Sequence, residues 1–193
     1  KSIFDLEEQI KNFYKLEDVM VIDILKKNLG IAKRIDLVSG AYSFFFISKV
    51  EPNSIIGTGM GRMVGSFAKL LIPVNIDNIK LVQLIGGLHD INFTNPLSIV
   101  QEACKKLNAG GLYFNSYATV ANIEERDTIY ETEIGKKITN MWNNCKYALF
   151  GIGSFKERAL LSKKLVKGKE LNYLIKNKGN LVQVFKERVT SYV

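Results

Sequence analysis

Histidine, cysteine, proline and tryptophan are all scarce in this chain. Its 193 residues include one histidine, two cysteines, three prolines and one tryptophan. A single imidazole, His89, excludes metal sites built mainly on histidine, and Asp90 beside it makes no ligand set on its own. Cys104 and Cys145 have no partner at metal-ligand spacing. Both fall at apolar positions of predicted helices and read as reduced core thiols, which points to a cytoplasmic protein. No charged-apolar-small leader opens the chain. The longest near-continuous apolar stretch, Val38 to Val50, is interrupted by Ser39, Gly40, Ser43, Ser48 and Lys49, too short and too polar to cross a bilayer. Low-complexity segments, internal repeats, helix-turn-helix patterns and aromatics at base-stacking spacing are also missing.

What is present suits one globular domain with a real core, or a domain with a small appendage: 47% of residues are apolar and 10% aromatic. The formal net charge of +8 is concentrated at one end. Residues 155–193 carry ten Lys and Arg against three acids, whereas residues 1–154 carry seventeen against sixteen. Such a tail reads either as a solvated lysine face or as a surface for an anionic partner. The chain opens on Lys1, so it is expected to be part of a longer or processed protein. Residues 1–16 read as a connector helix, with Ile3, Leu6, Ile10 and Phe13 on one stripe and Glu7, Glu8 and Lys11 opposite. An α/β domain is expected over 17–193.

Residues 54–65 carry the clearest motif, Ser-Ile-Ile-Gly-Thr-Gly-Met-Gly-Arg-Met-Val-Gly. A short apolar strand runs into Gly57, Gly59 and Gly61, then into Arg62 and an amphipathic helix marked by Val64, Phe67, Ala68 and Leu71. Glycines let the backbone turn and approach a ligand closely, and the first N–H groups of the helix point at an anion. A Walker loop would need Lys-Ser/Thr where Arg62-Met63 stand, and the dinucleotide fingerprint fails at Val64. The acidic residue that would hold a ribose is missing from the end of the next strand. The motif therefore reads as a phosphate or sugar site, or as a strand-to-helix turn whose glycines serve tight packing.

Further along, the pattern predicts strands at Val19–Ile22, Ile79–Ile85, Tyr113-Phe114 and Tyr147–Ile152. It predicts a long helix over about 25–49, broken near Gly30, and another opened by Asn95-Pro96 with Leu97, Val100, Cys104 and Leu107 buried. A charged stretch, Ile123–Tyr130, leads to a helix with Ile134, Ile138, Met141, Trp142 and Cys145 on one face. Asp127, Glu131 and Glu133 read as solvated surface, and Trp142 as core. Apolar strands separated by helices and ending in glycine indicate an α/β fold with a mainly parallel sheet wrapped by helices. Ligands bind outside the carboxyl ends of such strands. Three ends, Gly57–Arg62, Gly86–His89 and Gly151–Ser154, thus form one candidate site.

Three segments together resemble the effector-binding domain of the SorC family of bacterial transcriptional regulators. Leu81–Leu88 resembles that family's strand ending in Gly-Gly, Gly57–Val64 its Gly-x-Ser-Trp-Gly-Arg-Thr-Leu loop, and Ala148–Ser154 its Leu-x-Gly-Ile-Gly-Ser strand. Lys169–Val184 is more loosely similar to the helix and turn that follow. The resemblance implies a fold akin to sugar-phosphate isomerases and glucosamine-phosphate deaminases, used as a non-catalytic sensor. It implies a phosphorylated sugar as effector, a homo-oligomer, and operator DNA held by a separate N-terminal helix-turn-helix domain outside this chain. From the residues themselves no membrane, no metal and no cofactor is expected. By position, Gly59, Met60, Gly61 and Arg62 would meet the phosphate, and Gly86, Gly87, Gly153 and Ser154 would line the sugar side; His89, which follows the glycine pair at the strand end, reads either as a sugar-side contact to a hydroxyl or phosphate or as an ordinary loop histidine. Gly59-Met60 replace the family's Ser-Trp and Met63 its hydroxyl residue, so a phosphate would rely on backbone N–H groups and Arg62. The family continues past the position of Val193, so a closing strand-helix portion is expected to be missing. The rival readings are a related isomerase or deaminase, which would need an acid such as Asp90 beside a strand end, and a basic nucleic-acid-binding or scaffold module.

Overall fold

The computed structural model describes residues 2–24, 28–88, 92 and 94–152. Four strands, β1 (Ile55–Thr58), β2 (Lys80–Gln83), β3 (Gly110–Leu112) and β4 (Tyr147–Leu149), form one sheet in the order β3-β2-β1-β4, with every pairing parallel. Among the described residues, six helices connect or precede them: α1 (Ile3–Tyr14), α2 (Ile31–Ile47), α3 (Arg62–Leu70), α4 (Pro96–Leu107), α5 (Ile123–Glu131) and α6 (Glu133–Asn143). This is the α/β architecture expected from the alternation of apolar runs and helical periods.

Each face of the sheet is covered, which is why the strands read as continuous apolar runs. On one face Ile56, Leu81 and Leu149 pack with Val64, Phe67 and Ala68 of α3, Ile99, Val100, Ala103 and Leu107 of α4, and Phe46 of α2. On the other, Val82 and Leu84 pack on Ile138, with Met141 and Trp142 of α6 closing the layer. The Trp142 indole N–H donates to the Gln83 carbonyl at 2.8 Å, satisfying the polar atom of a mostly apolar ring. Trp142, partly buried, thus packs against the core at the α6 interface.

Local chemistry sets the helix limits. Ser2 and Asp5 form a reciprocal capping box on α1, which ends at Lys15 in the left-handed region. Asn95 caps α4 by accepting from Leu97 N–H, Pro96 occupies the first helical position, and Asn108 closes the helix with φ 48°. The buried stripe of α4 includes Ile99 and Ala103, while Leu97 and Cys104 are only partly buried. Within the helix expected over 25–49, α2 begins after Gly30, which is its N-cap. Asp127, Glu131 and Glu133 lie on exposed helical surface, as expected.

Four local expectations are corrected. Val19–Ile22 is not a strand: it runs partly buried beside α1, where the Glu7 carboxylate accepts from Val21 N–H at 2.7 Å. A short β-branched run makes a strand only if a sheet edge is available to pair with it. The third strand is Gly110–Leu112 and not Tyr113-Phe114. Glycine is a poor strand former, but a Cβ at Gly111 would sit 2.5 Å from Cys104 Sγ, so close packing of α4 demands it there. The charged stretch over 123–130 is itself helix α5, capped by Asn122 and separated from α6 by Thr132. Cys145 lies past the end of α6, and its thiol donates to the Tyr147 carbonyl at 3.0 Å.

Both cysteines are free and half-buried. Burial raises the Cys104 thiol to about 11, and it also raises Cys145. At pH 8 a thiol of that pKa is about one-thousandth thiolate, so Cys104 should react with a thiol reagent far more slowly in the folded protein than in urea, and Cys145, also raised by burial, should be slowed as well. Because the folded-state value lies above the ordinary one of 9.0, the contribution of Cys104 to stability is present below pH 9 and lost as pH rises toward 11. In the core, Ile138 is fully buried, and Ile138→Ala should lower unfolding free energy by about 2–5 kcal/mol in urea titration.

Candidate functional site

A parallel sheet gathers all its strand ends of one kind on one edge. Because β4, β1 and β2 are consecutive neighbours, the strand ends that lead into the three predicted glycine segments lie side by side at the carboxyl edge, described as far as Arg62, Leu88 and Ile152. The connection from β1 runs to β2 on one side, while β4 pairs on the other side of β1. The β1/β4 boundary is therefore the point where the strand order reverses, the usual location of a ligand crevice in open α/β sheets.

The turn from β1 into α3 occupies that boundary. Gly59 N–H donates to the Leu149 carbonyl at 2.9 Å, extending the β1–β4 ladder by one bond. A Cβ on Gly59 would lie 3.1 Å from the Phe150 ring and 3.2 Å from the Leu149 carbonyl, so the strands approach too closely for a larger residue to fit without adjustment. Gly61 takes φ 110° and ψ 176°, a conformation that L side chains rarely adopt. It caps α3 without any side-chain hydrogen bond, and its carbonyl accepts the first helical bond from Gly65 N–H at 2.9 Å. The N–H groups of Met63 and Val64 therefore open the helix with no intrahelical acceptor and with the positive end of the helix dipole behind them. Met60 is partly buried and Arg62 is exposed, so the cationic side chain stands at the rim of this turn.

The N-terminal ends of α3 and α4 are tied together. Gly61 N–H donates to the Thr94 carbonyl at 3.2 Å, and the Asn95 side-chain amide donates to the Leu88 carbonyl at 3.0 Å. Asn95 thus caps α4 with its oxygen and holds the loop after β2 with its nitrogen.

The glycines differ in purpose. Gly57 packs under Leu84, whose side chain would lie 2.6 Å from an added Cβ. Gly86 faces the Tyr117 carbonyl at 2.3 Å from such a Cβ, and Gly87 donates to the Ser116 carbonyl at 2.7 Å while accepting from Ala118 N–H at 2.9 Å. The main chain of Gly86-Gly87 is therefore engaged by residues 116–118, which run parallel to it. A Cβ on Gly151 would lie 3.6 Å from Met63 Cβ and 3.8 Å from Val64 Cγ2, so the chain just past β4 runs beside the start of α3. His89, Asp90, Gly153, Ser154, the basic segment 155–193 and Lys169–Val184 lie outside the described residues.

Two polar side chains at the same edge were not singled out from the sequence. Thr58 and Gln83, the last residues of β1 and β2 and register partners, are buried, and Thr58 Oγ1 and Gln83 Oε1 have no hydrogen-bond partner among the described residues. The available signal was a polar residue at the end of each otherwise apolar run, Ile-Ile-Gly-Thr and Leu-Val-Gln. Among the described residues no cluster of His, Cys, Asp and Glu could hold a metal ion, and no helix is long and apolar enough to cross a membrane.

Comparison with known proteins bears on the family and the fold. Residues 1–182 match the family model Sugar-bind, described as "Putative sugar-binding domain". No curated protein sequence matches the chain. Among solved structures, a transcriptional regulator from Streptococcus pneumoniae TIGR4 superposes with TM-score 0.80 at 19% identity, over 90% of this chain and 67% of that one. The full-length sorbitol operon regulator SorC from Klebsiella pneumoniae gives TM-score 0.73 at 24% identity, over 79% and 50%. A "probable sor operon regulator" from Shigella flexneri gives 0.72 at 24%, over 77% and 64%. The chain thus spans half of the Klebsiella regulator and under two thirds of the Shigella one. At these identities the likeness establishes the fold: a parallel α/β domain shared with the sugar-binding domains of regulators.

Gly61→Ala tests the turn directly. With φ at 110° a Cβ is strained even though the space around it is open, so the variant should lose about 1–3 kcal/mol of stability in denaturant titration.

Proposed function

We propose that this chain, which belongs to the sugar-binding domain family, is the effector-sensing part of a transcriptional regulator and takes a phosphorylated sugar at the carboxyl edge of its sheet. The observation that carries the reading is the turn from β1 into α3. Gly61 in a left-handed conformation opens a helix that has no side-chain cap, Arg62 follows at the rim, and both lie where the strand order reverses. Backbone N–H groups, a helix dipole and a guanidinium together select a doubly charged anionic group over a neutral sugar.

In this reading Gly59, Met60, Gly61 and Arg62 receive the phosphate. Gly59 shapes the crevice by letting β4 come close, and Gly61 sets the direction of the helix N–H groups. Gly86 and Gly87 act one step back, by fixing residues 116–118 beside the crevice, and His89, Gly153 and Ser154 belong to the sugar side. The domain does no chemistry. It binds, and the binding event is read by a DNA-holding domain elsewhere in the full-length protein, in the cytoplasm. A homo-oligomer fits the helices that lead into the domain: α1 buries none of its residues, and Phe4, Phe13 and Phe44 of α1 and α2 are exposed.

A thermal-shift series against pentose and hexose phosphates, their unphosphorylated parents and inorganic phosphate tests this. Ligand binding only to the folded state adds about 2.7 kcal/mol at a hundred times the dissociation constant, so one or a few sugar phosphates should raise the melting midpoint clearly. The unphosphorylated parents should not, and Arg62→Ala should reduce the shift. No shift with any phosphorylated compound would overturn the proposal, and turnover of a sugar phosphate would replace it with an isomerase or deaminase activity.

A further inference from the structure

We propose that Thr58 and Gln83 determine specificity at this site by reading a hydroxyl group of the ligand, so that the domain distinguishes a phosphorylated polyol from a bare phosphate. The inference rests on the reading of the carboxyl edge as a sugar-phosphate site. It is carried by a separate observation, the two buried polar atoms left without partners among the described residues.

The placement follows from strand geometry. Side chains alternate along a strand, so Thr58 faces the same side as Ile56, and Gln83 the same side as Leu81, both of which lie in the core beneath α3 and α4. Thr58 and Gln83 are register partners at the last position of adjacent strands, which brings their side chains together under the N-terminal ends of those two helices. Each residue is only 1% exposed. The Gln83 amide is held at the edge because its nitrogen donates to the Ile85 carbonyl at 2.5 Å, just beyond the end of β2. That bond leaves Gln83 Oε1 as an acceptor with no donor among the described residues, and Thr58 Oγ1 on the paired strand likewise lacks a partner among them.

Unpaired polar atoms in a core are costly, and two on register-paired residues call for an occupant. An amide oxygen can only accept, so the missing partner must donate. A sugar hydroxyl donates and accepts at once, and can therefore bond Gln83 Oε1 and Thr58 Oγ1 together; a carbonyl or a carboxylate cannot bond the amide oxygen. The α3 N-terminus lies only three residues after Thr58, so one molecule carrying a phosphate and a nearby hydroxyl can engage both. Entry opens the long hydrogen bond from Gly61 N–H to the Thr94 carbonyl, which ties the two helix ends together. The same step frees the Gly61 N–H to meet the anion.

The test is isothermal titration of this chain with the responding sugar phosphates, their deoxy analogues and inorganic phosphate, repeated for Thr58→Val, Gln83→Leu and Thr58→Ser. The wild type should prefer at least one hydroxylated sugar phosphate over its deoxy analogue by tenfold or more. Thr58→Val and Gln83→Leu should each reduce that ratio at least threefold, whereas Thr58→Ser, which keeps the hydroxyl, should preserve it. A purely structural role would weaken all ligands together and leave the ratio unchanged, and that result overturns the inference while the sugar-phosphate site stands. If the wild type binds no phosphorylated compound at all, the sugar-phosphate site falls and this inference with it. The wild-type comparison with deoxy analogues decides the matter even if one variant fails to fold, since equal affinities for parent and every deoxy analogue would also overturn it.

Discussion

The pairing of β1 on both of its sides is the constraint on which the remainder of the domain depends. β2 holds it from Ile55 to Thr58 and β4 from Ile56 to Thr58, and the Gly59–Leu149 hydrogen bond carries the second ladder one residue past the strand. A central parallel strand must satisfy its main-chain groups from neighbours, because both faces are shut off from water. Once that is met, three chain ends far apart in sequence are forced onto one edge. The turn into α3 then has nowhere to go except between the end of β4 and the N-terminus of α4.

The same constraint assigns the glycines. Gly57, Gly86 and Gly111 are sites where a neighbouring side chain or carbonyl occupies the space of a Cβ, so they express packing density. Gly61 has open space around it and a left-handed φ, so it expresses backbone conformation. The two kinds look alike in a sequence. They have opposite consequences for a ligand, since a filled glycine face is closed to it and an open one is approachable.

Polar groups in the layer beneath α2, α3 and α4 follow the same logic of obligatory partners. Ser43 Oγ accepts from Ile72 N–H at 2.9 Å just past the end of α3, the Ser39 hydroxyl donates to the Met63 carbonyl at 3.3 Å, and the Ser66 hydroxyl donates to Asp36 at 2.6 Å. These bonds lock α2 to α3 through small side chains that let the helices approach, each contributing on the order of 1 kcal/mol. Thr58 Oγ1 and Gln83 Oε1 stand out against this background of satisfied groups because they sit at the edge where a ligand is expected.

Periodicity and punctuation in the amino-acid sequence determined the parallel α/β class, the helix starts at Asn95-Pro96 and Gly30, the glycine turn at 57–62 and the solvated surface of α5 and α6. These are local properties, set by propensity, capping and the alternation of apolar residues, and they are written in neighbouring positions. Tertiary structure alone decided that Val19–Ile22 has no sheet edge to join, because its apolar run is indistinguishable from a strand until the other strands are placed. It decided that a strand runs through Gly110-Gly111, since the approach of α4 overrides the poor strand propensity of glycine. It also decided the order β3-β2-β1-β4, and with it the meeting of Gly59, Gly61, Thr58 and Gln83. Strand order depends on how helices of particular length cross the sheet and which faces they bury, a sum over the whole chain that no single motif contains.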